Sequence, residues 1–590
     1  MIIEFRRDLD HLEVPRRQFG IFRNDEQPRS VQWIEERWRE VRLPNGRLMG
    51  FLELKYEVPY EYNGWWLKLG DADWARYKEG FLILRLSPGP GCTPVFKLEL
   101  KAGDPQRTHP VYVALEQSHR ALAAEKGFAD VVIPLTDFGI GDFSRMRELV
   151  IVFEKRSIDP AYRKGTLLVR SMRLSLDKDP QAQTIDALLD DLGHRVFRWF
   201  AENHHPKTGL VRDRAPNCRG SKELPAMASI ASSGYFLSML PEAVRRGELS
   251  ESEAAAKAEV ALRFALGEME HHEGLFYHFV HLETGKRWEQ SEVSLLDSAI
   301  FFNGCMVAGQ RFGGKVQELA DALLDRADWP KFLIRHPKDG KPLLALGWTP
   351  EKGMLGPADV RSSEMAMPYF LAVGSRTHPI DPACWFNTSV GYRRIGGYKV
   401  LHGDLPLFTS YYGLGWHDLR GCADRDGADL FGNARQAALA NRAFCRELGL
   451  KFRTYTAAEG GWWGISAGDS PAGYVACGPV HGDPDGTVWP LAALATLPWI
   501  PDEMKEDVAR WRASEPWESA LGDFGVAPFN LDRKWVGQDL IGIDVGSFYL
   551  SLANHANRTV WDLWMQHPIA ISAIRKLDLK PAKPSAETGR

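Results

Sequence analysis

Two different periods of apolar residues divide the chain. Up to about residue 177 the period is two. In Phe51–Val58, Leu52, Leu54, Tyr56 and Val58 alternate with Glu53, Lys55 and Glu57; Phe96, Leu98 and Leu100 alternate in the same way with Lys97, Glu99 and Lys101. Such alternation puts one strand face in a core and the other in water. Further strands are predicted at Trp65–Leu69, Phe81–Leu86, Asp130–Pro134, Glu148–Phe153 and Thr166–Leu176, with turn-forming runs such as Pro88-Gly89-Pro90-Gly91 between them. Many short strands of this kind predict a β-sandwich of jelly-roll type.

A polar stretch, Ser175–Gln183, contains Pro180 and reads as a linker. Directly after it the period becomes helical. Ile185, Leu188, Leu189, Leu192, Val196 and Trp199 share one face behind a Thr184 cap. Ser250-x-x-Glu253 is a capping box that opens a helix to about Glu270. Ser291 is predicted to cap a helix over 292–312. Others are predicted at Lys315–Arg326, Pro368–Val373, Asn433–Leu448, Val488–Leu497, Asp502–Ala513 and Phe548–Gln566. About a dozen helices with almost no strand signal fit a closed toroid of helical hairpins. The expected organisation is a β-sandwich over 1–177, a helical barrel over 184–577 and a polar tail over 578–590.

Composition narrows the function. Net charge is -4 and no long Lys/Arg run occurs, which argues against nucleic acid as a partner. No apolar run reaches the ~18 residues of a membrane span, so no membrane partner is expected. The seven Cys form no C-x-x-C pair, and the His residues lack ligand spacing, so neither a disulfide framework nor a metal site is expected, and no cofactor. Scattered thiols and an N-terminus without an apolar core segment point to the cytoplasm, or to the periplasm or secretion if a signal has been removed. Nothing in the sequence fixes an oligomeric state. The 20 Trp are more telling, because the C–H face of a pyranose stacks on a flat apolar ring. An oligo- or polysaccharide is therefore the expected partner.

Cleaving a glycosidic bond needs one carboxylic acid and a second carboxylate. The stretch Gly274–Asp297 (GLFYHFVHLETGKRWEQSEVSLLD) places aromatics, Trp288 among them, before Glu292, with Asp297 five residues on. Both acids would lie at a helix mouth, where the dipole favours the ionised form; both could equally be ordinary solvated charges. Glu364 in VRSSEMAMPYF is a second candidate, on an entry loop or a distorted first turn because of Pro368. Asp469 in GWWGISAGDSPAGY, flanked by Trp462 and Trp463, is a third; it either faces a ligand or only shapes an Asx-turn. Asp213 in GLVRDRAP and Trp416, His417 and Asp418 in GWHDLRG are weaker candidates for substrate binding. No phosphate loop or H-E-x-x-H motif occurs.

These stretches resemble, in order, the glycoamylase-like domain of endo-β-1,2-glucanases, which also occurs in cyclic β-1,2-glucan synthases. The residues that carry the match include Gly209–Pro216, Ala228–Leu237, Gly274–Ala299, Ser363–Ala366, Leu371–Pro379, Pro406–Gly421, Gly464–Tyr474 and Asp485–Val488. The resemblance spans about Thr184 to Leu577. It implies an (α/α)6 barrel that hydrolyses β-glucan, β-1,2-glucan first. It also implies catalytic roles for Glu292, Asp297 and Glu364 and a place in the substrate cleft for Asp469. Arg361-Ser362-Ser363 before Glu364, Pro368 after it, and the absence of a Trp in Pro357–Val360 depart from the family pattern. The alternatives are a transglycosylase or exo-acting glucosidase on other glucosides, and a non-catalytic glucan-binding protein. Within the first region, about Phe51–Asp177 is similar to galactose-binding-like jelly rolls, through IPLTDF, ELVIVFE and GTLLVRSMRLSL. This resemblance implies either a carbohydrate-binding module, using Trp65 and Trp66, or a buttress.

Overall fold

A computed structural model of the chain describes residues 2–4, 19–23, 34–42, 48–104, 106–176, 184–217 and 224–581. The chain forms two compact units, 1–184 and 185–590. The linker expected at 175–183 and the tail expected at 578–590 fall largely outside the described residues.

The first unit consists of strands β1 (Ile2–Glu4), β2 (Phe19–Arg23), β3 (Ile34–Arg42), β4 (Leu48–Glu57), β5 (Tyr62–Ala72), β6 (Phe81–Pro88), β7 (Val95–Ala102), β8 (His109–Ala114), β9 (Ala129–Pro134), β10 (Met146–Glu154) and β11 (Lys164–Ser175), with one helix, α1 (Gln117–Lys126). One antiparallel sheet runs β3-β4-β11-β6-β9, with β1 added against β11; the other runs β2-β5-β10-β7-β8. The alternating residues meet in one apolar core: Leu52, Leu54 and Tyr56 from the first sheet face Trp65, Leu67, Leu98 and Ile151 from the second. Trp65 belongs to this core, with its Nε1 donating to Glu36 Oε2 at 2.9 Å, so it has no ring face to offer a sugar. Trp66, one residue on, points the other way and stays half-buried.

The second unit is helical: α2 (Ile185–Asn203), α3 (Ile230–Arg245), α4 (Glu251–Gly267), α5 (Leu295–Phe312), α6 (Gly314–Arg326), α7 (Ser363–Gly374), α8 (Ala383–Phe386), α9 (Leu430–Leu448), α10 (Pro490–Leu494), α11 (Pro501–Ala513), α12 (Glu515–Ala520), α13 (Gly542–Asn557), α14 (Thr559–Met565) and α15 (Pro568–Lys576). Helices α3, α5, α7, α10 and α13 are buried nearly all round, whereas α2, α4, α6, α9 and α11 bury one face. The two kinds alternate along the chain. Helix α3 crosses α5 with backbone against backbone: a Cβ on Gly234 would lie 2.5 Å from Phe301 Cα, and one on Gly304 would lie 2.3 Å from the Gly234 carbonyl oxygen. Only glycine fits there.

Several predicted boundaries are corrected. Helix α5 begins at Leu295 rather than 292, because Ser294, not Ser291, accepts the capping N–H of Asp297. Helix α7 begins at Ser363, five residues before Pro368, and runs through that proline. The helix expected at Phe548–Gln566 starts earlier, at Gly542, and breaks at Arg558, whose φ of 61° is left-handed. The loops hold short antiparallel ladders where almost no strand was expected.

Candidate active site

The first part of the site is built where Val293–Ser294 pairs with Gly347–Thr349 and leads into α5. Glu292 precedes this bridge and Asp297 is the third helical residue, so both stand at the helix mouth, though only Asp297 is helical. His278 joins them. Its backbone N–H donates to the Glu292 carbonyl at 2.8 Å, its Nδ1 lies 3.1 Å from Glu292 Oε1, and its Nε2 lies 3.4 Å from Asp297 Oδ1. Burial alone would push the imidazole down, but Asp297 and then Glu292 outweigh it and raise His278 to about 9. The same contact holds Glu292 below its ordinary range although burial pulls it upward. The donor atoms of His278, Glu292 and Asp297 lie within 4.8 Å of one another. A cation bound by this trio would have to displace the imidazole proton, so metal binding and the ion-paired triad are competing states of the same three side chains.

Glu364 is the second residue of α7, behind the Ser362 cap, whose Oγ accepts from Met365 N–H at 3.2 Å. It keeps part of its surface open, yet protein encloses it at depth. Burial, and secondarily the Asp297 charge, raise its carboxyl to about 8. The sequence departure just upstream has a structural explanation. Arg361 is fully buried, pairs with Asp424 at 3.2 Å and Asp426 at 2.6 Å, and donates from Nε to Thr388 Oγ1 at 3.0 Å. These contacts fix the backbone that delivers Glu364.

A third group closes the site. Arg214–Pro216 pairs with Asp539–Ile541, and the Asp213 carbonyl accepts from Gly542 N–H at 2.7 Å at the start of α13. Asp213 is buried and raised by that burial, with the Arg214 and His278 charges opposing. Arg214 Nη1 donates to both oxygens of Asp469, at 3.0 and 2.9 Å. Asp469 is therefore ion-paired across the site rather than turned into its own loop. Asp544, third residue of α13, accepts from Tyr412 Oη at 3.2 Å, and its burial leads a rise to about 7. Asp469, Asp539 and Asp544 line one pocket with Trp489.

The aromatic expectations fare differently. Trp288 is half-buried, 4.7 Å from the His281 ring. Trp416 is fully buried, its Nε1 donating to Ser238 Oγ at 2.9 Å. Trp462 stacks on Trp511 at 4.5 Å, and Trp463 Nε1 donates to Asp507 Oδ2 at 2.7 Å in the core. His417 is fully buried between Phe370, 4.8 Å away, and Trp564, 4.3 Å away. Asp418 is bound by Arg420 at 2.7 Å and Arg558 at 2.9 Å. The four rings are buried and present no surface to a ligand, whereas Asp418 stays partly open between its two arginines. Sequence reading missed His278, Arg214, Tyr412 and Asp544. The apolar pattern starts that helix only at Phe548, which leaves Asp544 in a featureless loop; His278 has a signal, an imidazole inside the acid-bearing stretch.

Residues 358–568 match the family described as "Glycoamylase: Putative glucoamylase". An exo β-1,2-glucooligosaccharide sophorohydrolase (non-reducing end) of Parabacteroides distasonis is 22% identical over 466 residues, 70% of this chain and 62% of that protein, so the chain spans less than two thirds of this relative. Among solved structures, a "putative glucoamylase" of Bacteroides uniformis is 25% identical with a TM-score of 0.60, covering 68% of this chain and 98% of that one. An endo-β-1,2-glucanase of Chitinophaga pinensis, in complex with sophorotriose and glucose, shares the fold at 22% identity and a TM-score of 0.61, covering 68% and 99%. The helical unit, whose α5, α7 and α13 assemble the acid cluster, is thus similar over residues 358–568 to the glycoamylase family.

Proposed function

We propose that the chain is a glycoside hydrolase that cleaves β-1,2-glucan, with Glu364 as proton donor and Glu292 as its ionised partner. One observation carries the reading: two carboxyls pushed apart around Asp297. Burial and the Asp297 charge keep Glu364 protonated at neutral pH, while His278 keeps Glu292 ionised. Divergent carboxyls of this kind are the acid–base requirement of glycosidic hydrolysis. The substrate class comes from the relatives, which act on β-1,2-linked glucans and their oligosaccharides. Glu364 gives its proton to the bridging oxygen as the C1–O bond breaks. Glu292 either takes a proton from the water that forms the new C1–O bond, which inverts the anomeric centre, or attacks C1 itself, which retains it. Asp297 holds Glu364 protonated and His278 in place. Asp213, Asp469 and Trp288 bind the sugar around them.

We further infer that the helical unit closes as an (α/α)6 barrel, which the alternation of helices buried all round with helices buried on one face supports. The first unit is read as a jelly roll on the support of its two antiparallel sheets. The function is tested by incubating the protein with linear β-1,2-glucan, laminarin, lichenan and cellulose and separating the products. Release from β-1,2-glucan is expected, and sophorose alone from chain ends would mark exo action. No release from any glucan, with calorimetric binding intact, would make the chain a binding protein instead.

A further inference from the structure

Trp416, Trp462 and Trp463 are buried, so any aromatic contact to the sugar beyond Trp288 falls to another residue. The hairpin of Ala467–Ser470 and Gly473–Ala476 pairs Asp469 directly with Tyr474. Opposed residues of an antiparallel ribbon share a face, with Cβ atoms about 5 Å apart. That face is fixed, because both Asp469 oxygens are held by Arg214, whose Nε also reaches Asp213 Oδ2 at 3.3 Å. The reverse face is fixed as well: a Cβ on Gly468 would lie 2.5 Å from the Trp489 ring, so the ribbon rests on that indole. The hairpin cannot roll, and Tyr474 is turned toward the acid cluster. Surrounding protein and the charges of Asp544, Asp213 and Asp297 hold its hydroxyl above the ordinary range. Even so, 60% of the residue's surface stays open.

A flat ring, open to solvent beside an acid cluster and locked by an ion pair behind it, suits the apolar C–H face of a glucopyranose. We propose that Tyr474 is a platform on which one glucosyl unit of the substrate stacks, and that it thereby helps set which glucans the cleft accepts. The proposal rests on the β-1,2-glucanase reading above and names a contact that reading does not include. Arg214 and Asp469 act as its positioning pair.

Tyr474→Ala, Tyr474→Phe and Tyr474→Trp test it, with steady-state kinetics on linear β-1,2-glucan and calorimetry of the same glucan in a Glu364→Gln background. The alanine variant should raise KM and weaken binding about tenfold, the equivalent of 1.4 kcal/mol of stacking, with kcat within about threefold. The Phe and Trp variants should keep KM within about twofold, since both retain a flat ring. Unchanged KM and binding in Tyr474→Ala overturn the proposal, and so does a Phe variant as impaired as the alanine one. A wild-type protein that binds the glucan without cleaving it overturns the hydrolase reading instead, and the calorimetric series then decides Tyr474 by itself.

Discussion

Keeping Glu364 protonated has a thermodynamic consequence that is measurable without substrate. Its carboxyl is raised from an ordinary 4.5 to about 8, by burial first and the Asp297 charge second. In the unfolded chain it titrates at the ordinary value. Between those two pH values the unfolded state releases a proton that the folded state keeps, so stability falls as pH rises from 4.5 and levels off above 8. At about 1.4 kcal/mol per pH unit, the loss accumulated by pH 7 is about 3 kcal/mol, an upper figure because part of the Glu364 surface stays open. Glu364→Gln removes the titration. Against the wild type, the variant should gain little near pH 4.5 and about 3 kcal/mol at pH 7, while its kcat falls at least about a hundredfold. Titrating groups that do not feel Glu364 are common to both proteins and cancel in the difference; its neighbour Asp297 does not. Urea unfolding followed by Trp fluorescence at pH 5 and pH 7.5 measures it. A stability difference that stays flat with pH would refute the reasoning, because Glu364 would then be ionised in the folded protein and unable to serve as the acid.

Three further outcomes follow from the same geometry. Glu292→Gln should lower kcat at least about a hundredfold, and His278, losing one of two carboxylates, should fall from about 9 toward its ordinary 6.5 in an NMR titration; an unmoved His278 would contradict the pairing. His417 is held neutral by burial, down to about 3, so its contribution to stability is present above its ordinary 6.5 and is lost as pH falls below it. His417→Leu should therefore flatten the acid limb of thermal stability by about 1.4 kcal/mol per pH unit, and identical limbs would count against it. Gly304→Ala should destabilise the protein by about 1–3 kcal/mol in a denaturant titration, because its methyl meets the Gly234 carbonyl; a neutral outcome would mean the helices can part.

What the sequence shows and hides follows physical lines. The strands of the first unit are legible because each has one wet face, as the Leu52/Glu53 alternation of β4 illustrates. Amphipathic α2 and the Ser250–Glu253 box of α4 are legible for the same reason. Helix α3 escaped, because a helix buried all round has no polar stripe to mark its period. Pro368 obscured α7, since a proline reads as a boundary even where the surrounding core holds the helix together. Among site residues, the acids could be shortlisted by neighbourhood, and Glu292, Asp297 and Glu364 are brought together at the mouths of two helices. Their partners could not be: Arg214 meets Asp469 and Tyr412 meets Asp544 across long stretches of chain. Tryptophan content pointed to sugar for the wrong reason, as most of the Trp considered serve the core.

The crossing of α3 and α5 at Gly234 and Gly304 separates two things that usually drift together in diverging proteins. Side chains between helices act as spacers of definite size, so substituting them shifts the helix axes. Here nothing intervenes, and the axial distance is set by the dimensions of the peptide backbone itself. The mouth of α5, with Asp297, thus inherits a fixed offset from α3. A combinatorial library could vary the side chains around this crossing and still return that spacing, provided those two positions stay glycine.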